Sequence, residues 1–489
     1  MIPVSEKSIP AAQLSDAEKS LLDRVEKNKD AIVELLKDLI AIDSRIYSAE
    51  QFCDQKKIFD FVENYMKKIG AKCERYSCPH PFRQSGTEQE WPSLVATIGQ
   101  EKREKALQFC GHLDVVPFTA EKWATNPLSA TVKDGKIFGR GASDMKGGVA
   151  SSMIAIKLLA ESGLPLEGSL RMLFFPDEEI NCDYGSQFMA SNHKDAINAP
   201  TIIAEPTGQP PLTSPALIIG EKGYAWLRLK FFGASGHGSM PRPRSNAINK
   251  ATRFIAGSKM LGLPKVKPPM SLMNMLRQLL GRISFKTLIK IAKAPPVESP
   301  DPYNEDGLGI GNLFKTTISF NQIHAGTKIN VIPDSCELEI DIRILPGITI
   351  QDVFDAIASY CTKLGFRLKL PDAYANLQAK NKRLEKRPVD VDLSIISTAL
   401  GTFENLDQPV ITLLKQAFED VYGVKAVFFF APGTSDAVSL RSVGIKDIVL
   451  FGPTGGHAHE ANEFVEIDQL VSACKVYLLV AYRMLCKKI

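Results

Sequence analysis

Apolar positions over residues 16–41 recur at helical spacing, with Leu21, Val25, Ile32, Leu35, Leu36 and Leu39 near one face, and predict an amphipathic helix. A second is predicted over 54–69, ending at Gly70, a common helix-stop residue. Short apolar runs at 93–98, 106–110, 168–175 and 201–204 read instead as buried strands, and 147–162 reads as a helix after Gly147-Gly148. Strands alternating with helices predict an α/β layer with a mostly parallel central sheet flanked by helices. In such sheets functional groups gather on loops at the carboxyl ends of strands. His112, Asp177 and Glu205 each follow one of these runs.

The pattern changes from Gly223. Tyr224–Phe232 alternates as a strand, 245–261 reads as a helix, and 316–324 and 335–345 read as strands. A helix over 349–364 and a strand over 390–398 complete a smaller α+β unit inserted into the first. The predicted domains are therefore 1–222 together with 400–489, and 223–399. The second carries an extra stretch at about 262–312 bounded by proline-rich turns, and 378–388 reads as a solvated loop or helix end. From about 400 the chain returns to helix–strand order and supplies the last histidines.

With 489 residues the chain is too long for one compact core, which agrees with two domains. No apolar run reaches the ~20 residues needed to span a bilayer. The polar stretch Met1–Asp30 lacks the apolar centre of a secretory signal. Nine cysteines without a Cys-x-x-Cys pair predict a reducing compartment, with cytoplasm as the default. The net charge of +4 is unevenly spread: Lys222–Val297 holds 15 Lys and Arg and no Asp or Glu, and removing those 15 positive charges leaves −11 on the rest. Segment 271–293 sets five leucines and isoleucines against Arg277, Arg282, Lys286, Lys290 and Lys293. It reads as a helix packed within the inserted unit or across a dimer, with an anionic membrane surface as the alternative. Nucleic acid is excluded as a partner, since no aromatic platform accompanies the charge.

Five segments carry metal-binding residue types in turns: Gly111-His112-Leu113-Asp114, Gly139-Arg140-Gly141-Ala142-Ser143-Asp144, Asp177-Glu178-Glu179, Ala204-Glu205-Pro206 and His457-Ala458-His459-Glu460-Ala461-Asn462-Glu463. Two imidazoles and at least three carboxylates suit a pair of divalent cations. Two such ions about 3.5–4 Å apart clamp an attacking water and a scissile carbonyl. In His112-x-Asp114 the carboxylate would orient the imidazole. A phosphate-loop reading of Gly139-x-Gly141 fails, because Asp144 stands where the third glycine would be and repels phosphate.

In this order the segments resemble the M20 metallopeptidases and amidohydrolases. That group includes acetylornithine deacetylase, succinyl-diaminopimelate desuccinylase, aminoacylases, carboxypeptidases and dipeptidases. The matching stretches are Gly111–Pro117, Trp123–Gly139, Gly139–Gly148, Asp177–Glu179 and His459–Glu463, and the likeness runs from roughly residue 30 onward, interrupted by 262–312.

The resemblance implies a two-metal hydrolase. His112 and Glu205 would bind one ion, Glu179 and His459 the other, and Asp144 both. The ions would be Zn²⁺, with Co²⁺ or Mn²⁺ as alternatives. Glu178 would be the general base acting on a bridging water, and Asp114 would orient His112. It also implies that the smaller domain is a lid forming a homodimer interface. Ser235-Gly236-His237-Gly238-Ser239 resembles the family's histidine loop, in which His237 would polarise the substrate carbonyl, reaching across to the partner's site. Asn330, Arg343, Gly433 and Thr434 resemble its substrate contacts, although Arg343 equally reads as a salt-bridged strand residue. The implied substrates are N-acyl amino acids or small peptides with a free carboxylate. The alternatives are an inactive metal-binding assembly protein of the same fold, or a membrane-surface peptidase using the basic insertion.

Overall fold

The computed structural model describes residues 14–48, 51–79, 91–100, 105–208, 215–241, 245–264, 315–377 and 386–486. Most of the extra stretch 262–312, all of 271–293 and most of 378–388 lie outside them.

The predicted first helix is two helices, Asp16–Lys27 and Lys29–Ala41. The break falls at Asn28, whose side-chain amide donates to the Arg24 carbonyl and competes with helix continuation. Ser15 and Glu18 form a reciprocal capping box at the start. Both helices turn the predicted apolar positions inward, Leu21 and Val25 from the first and Ile32, Leu35, Leu36 and Leu39 from the second.

Among the described residues the large sheet has nine strands. Its order is Lys72–Cys78, Trp91–Gly99, Ser169–Phe175, Ala106–His112, Thr201–Ile203, Ile448–Leu450, Leu217–Glu221 and Thr402–Phe403, with Phe428–Ala431 also on Leu217–Glu221. Ala106–His112 is parallel to both its neighbours, and Ile448–Leu450 is parallel to Thr201–Ile203. The parallel expectation thus holds at the sheet's centre, while antiparallel strands extend both flanks. The central strands Ala106–His112 and Ser169–Phe175 are buried at every residue, as expected of strands covered on both faces. Helix Lys146–Ala160 packs on Ala106–His112 and against the C-terminal helix Ile467–Leu485.

The described residues of 223–399 supply a separate sheet of five strands, ordered Thr317–Ala325, Ser335–Ile344, Gly223–Phe232, Val391–Ala399 and Leu368–Lys369. Ser335–Ile344 alternates strictly between buried and half-exposed positions, the period of a sheet covered on one face. Helix Ala247–Ala256 packs on it, and helix Ile350–Lys363 starts with a Thr349–Asp352 capping box. The chain passes between the two sheets at Gly223 and again near Gly401. A Cβ on Gly223 would stand 2.2 Å from the Ala399 carbonyl oxygen and 2.3 Å from the Gly401 nitrogen, so only glycine fits this crossing.

All nine cysteines are free. Burial pushes the thiols of Cys73 and Cys486 up to about 11 and that of Cys361 up to about 12, from an ordinary 9.0. Their folded values exceed the unfolded one, so this contribution to stability is complete below pH 9 and lost as pH rises through 11 to 12. Iodoacetamide at mildly alkaline pH is expected to label these three slowly in the native protein and rapidly in denaturant. Equal rates in both states would contradict this burial.

Candidate metal centre

His112 is the last residue of its central strand, and Glu205 follows the end of the neighbouring strand Thr201–Ile203. Glu178 and Glu179 open a single helical turn after Ser169–Phe175. Asp144 ends the glycine-marked turn before helix Lys146–Ala160. His459 arrives from the far end of the chain, in a loop between Gly455–Gly456 and Phe464–Glu466. These two strands pair, and Phe464–Glu466 also pairs with Lys136–Phe138, which lays the loop beside the Gly139–Asp144 turn.

The result is two groups of possible metal ligands, His112/Asp144/Glu205 and Asp144/Glu179/His459, each with ligand atoms within 4.8 Å of one another. Asp144 belongs to both. Its Oδ1 lies 3.2 Å from His112 Nε2 and its Oδ2 lies 3.3 Å from His459 Nε2. His112 Nε2 is 3.7 Å from Glu205 Oε1 and 3.9 Å from Glu178 Oε2, and His459 Nε2 is 3.1 Å from Glu179 Oε2. His112 is wholly buried, whereas the His459 side chain keeps 55% of its exposure, so the centre opens on the His459 side.

The charges make this cluster expensive on its own. Burial, reinforced by neighbouring acids, raises Glu178 and Glu205 well above the carboxylate range and also raises Glu179. For Asp144 burial works upward too, but hydrogen bonds from His112 and His459 hold it below its ordinary value. Hydrogen bonds to Asp144 and Glu179 raise the His459 imidazole to about 10. Glu179 Oε1 is buried with no hydrogen-bond partner among the described residues. Mixed imidazole and carboxylate donors, an orphaned acceptor and excess buried negative charge fit divalent cations.

Asp114 holds this centre in two ways. Its backbone carbonyl oxygen sits 3.0 Å from His112 Nδ1, closer than its carboxylate at 3.4 Å, leaving Nε2 turned to the cluster. Its carboxylate accepts the backbone N–H groups of Glu178 and Glu179 at 3.2 and 3.0 Å.

The other sequence candidates stand apart. His237 is exposed, with Nδ1 2.7 Å from Ser239 Oγ, and makes no hydrogen bond or ion pair to the cluster among the described residues. Asn330 lies beside it: Gly236–His237 pairs with Val331–Ile332, and Gly238 N–H donates to the Asn330 carbonyl at 2.8 Å. Arg343 Nε donates to Asp341 at 3.0 Å, and its guanidinium lies over the Tyr224 ring. Gly433 and Thr434 are half-exposed, just ahead of the Ser435 cap of helix Asp436–Ser442. Of the histidine doublet only His459 joins the cluster, since His457 pairs with Glu460 at the surface. Lys146 points away, donating to the Leu39 and Ile42 carbonyls at the end of helix Lys29–Ala41.

Two residues lay inside stretches that resemble the family, Gly433–Asp436 and His459–Glu463, without a role of their own. Asp436 is fully buried and raised to about 6 by that burial, within electrostatic reach of His112 and Asp114. Glu463 is fully buried, paired with Arg140 at 2.6 Å, and accepts backbone N–H groups from the turn that carries Asp144. Its signal was its place at the end of the His459–Glu463 stretch.

Among the described residues no helix is long and apolar enough to cross a membrane. The model of peptidase family M20/M25/M40 matches residues 109–483. An uncharacterized metallohydrolase of Methanocaldococcus jannaschii is 26% identical, over 86% of this chain and 90% of its own. An acetylornithine deacetylase of Photorhabdus laumondii is 29% identical, over 66% of this chain and 69% of its own. Human carnosine dipeptidase 1 shares the fold, with a TM-score of 0.68 at 17% identity, covering 97% of this chain and 99% of that one. The family match takes in His112, Asp144, Glu179, Glu205 and His459 alike, and the chain accordingly belongs to peptidase family M20/M25/M40, as a metal-dependent amidohydrolase or exopeptidase.

Proposed function

We propose that this protein hydrolyses the amide bond of N-acyl amino acids or small peptides carrying a free carboxylate, using two divalent metal ions. The observation that carries the reading is Asp144, shared between two ligand groups with one carboxylate oxygen toward each histidine. His112, Asp144 and Glu205 would hold one ion, and Asp144, Glu179 and His459 the other, with Zn²⁺ preferred and Co²⁺ or Mn²⁺ able to replace it. Bound there, the ions supply Lewis acidity toward a carbonyl and lower the pKa of water. Glu178 takes the proton from the attacking water and passes it to the leaving nitrogen. Asp114 fixes the main chain of Glu178 and the ring of His112.

The unit 223–399 acts as a lid and dimer surface in this reading. His237 donates to the developing oxyanion in the partner subunit's site, which accounts for its exposed position away from its own cluster. Asn330, beside His237, helps to place the substrate. Arg343, with the loop at Gly433 and Thr434, grips the substrate carboxylate, exchanging Asp341 for it.

The test is turnover of a panel of N-acetyl and N-succinyl amino acids and dipeptides, each with its methyl ester. Free acids are expected to be cleaved and esters to be poor substrates. Glu178→Ala and His237→Ala should each be nearly inactive alone. An equimolar mixture, after subunit exchange, should recover about a quarter of wild-type activity, because half the dimers then carry one complete site. No recovery on mixing would place His237 outside the partner's site, and preferred cleavage of the esters would remove the carboxylate clamp.

A further inference from the structure

We propose that Glu463 is a positioning residue for the metal centre: its buried carboxylate builds the Gly139–Asp144 turn and so holds the Asp144 side chain between the two histidines before any cation arrives. The inference rests on Asp144 being the ligand shared by both groups. Glu463 Oε1 accepts the N–H groups of Ser143 at 2.8 Å and Asp144 at 3.0 Å. Its Oε2 accepts Gly141 N–H at 3.0 Å and Arg140 Nη1 at 2.6 Å, and its backbone carbonyl accepts Gly139 N–H at 3.0 Å. Every residue of the turn except Ala142 therefore donates to this one residue.

A carboxylate offers about four lone-pair directions. All four are occupied here by N–H groups, which leaves Glu463 no capacity to act as a ligand. Its role is geometric. The charge arrangement agrees, because another bare negative charge beside the acidic cluster would only add repulsion. Arg140, itself buried, cancels that charge and is held in turn by the Trp123 ring 5.2 Å away. The turn also requires Gly141, at φ +83°, where a Cβ would come within 2.7 Å of Val115.

Glu463 and His459 belong to the same loop, closed by the pairing of Gly455–Gly456 with Phe464–Glu466. That loop grips Asp144 twice, by its main chain through Glu463 and by its carboxylate through His459. Displacing the loop would therefore disturb both ligand groups at once.

The first measurement is amide hydrogen exchange on the wild-type protein stripped of divalent cations. The amides of Gly141, Ser143 and Asp144 are expected to be protected already, with little change on adding Zn²⁺. Protection that develops only with Zn²⁺ overturns the proposal. The second is Zn²⁺ affinity by calorimetry for wild type, Glu463→Gln and Arg140→Lys. Glu463→Gln keeps the size but turns one acceptor into a donor facing N–H groups, and should weaken binding about 10–100-fold. Arg140→Lys retains the counter-charge and should lose less. In zinc-saturated Glu463→Gln, kcat should fall while KM stays within about threefold, since no substrate group meets this residue. Equal Zn²⁺ affinity in folded wild type and Glu463→Gln overturns the positioning role and leaves the metal centre standing. A wild type that binds no Zn²⁺ overturns both. If Glu463→Gln does not fold, the exchange pattern of the wild type decides.

Discussion

Glu178→Ala is expected to lower kcat by about 10³–10⁴-fold while the protein keeps its fold and its metal. Glu178 lies within reach of His112, yet it belongs to neither three-residue ligand group. Truncating it should therefore empty the position of the base without opening either group. The neighbouring backbone is secured independently, because Asp114 accepts the N–H of residue 178 whatever its side chain. The two quantities to compare are turnover at saturating substrate and metal content by elemental analysis. Turnover near wild type would remove Glu178 from the proton path. Loss of one equivalent of metal would make it a ligand instead.

Stripping divalent cations with a chelator is expected to abolish turnover and lower Tm, both restored by Zn²⁺, Co²⁺ or Mn²⁺. Asp144, Glu178, Glu179 and Glu205 are gathered in a largely buried space where, among the described residues, His112 and His459 offset them directly. Each carboxylate makes the others harder to ionise, and a cation relieves that repulsion at its source. A ligand that binds only the folded state adds about 4 kcal/mol of stability at a thousandfold excess over Kd. The fall in Tm should therefore be several degrees. Imidazoles bind metal in the neutral form, and carboxylate neighbours raise the proton affinity of both histidines, so calorimetry in buffers of different ionisation enthalpy should reveal proton release on metal binding. Unchanged activity after complete removal of metal would defeat the two-ion reading.

Much of this centre was legible in the amino-acid sequence because its ligands sit at punctuation points. His112 and Glu205 follow apolar runs, and Asp144 follows two glycines, so their placement needed only local pattern and the rule for parallel sheets. The inserted five-stranded unit was legible for a similar reason, since Ser335–Ile344 and Gly223–Phe232 alternate with the period of half-buried strands. What escaped depends on distant partners. Asn28 breaks a helix through a single side-chain bond that periodicity does not register. The antiparallel strand Lys72–Cys78, which has no residue classed as buried, carries no apolar alternation to read. Glu463 stood in the family-like stretch His459–Glu463 without a role, and only its meeting with residues 139–144 gives it one. Arg343 carried two readings: its Nε meets Asp341 at 3.0 Å, and the substrate contact would exchange that partner.

His459 follows the whole of 223–399 in the chain, whereas His112, Asp144, Glu179 and Glu205 all precede it. Domains emerging from the ribosome fold from the amino-terminal side as synthesis proceeds. While 223–399 is being synthesised the nascent polypeptide therefore holds four of the five ligand residues but lacks one of its two imidazoles, and lacks Glu463 as well. A ribosome-bound intermediate of this kind has no complete second ligand group, so on the two-ion reading its chemistry waits for the pairing of Gly455–Gly456 with Phe464–Glu466.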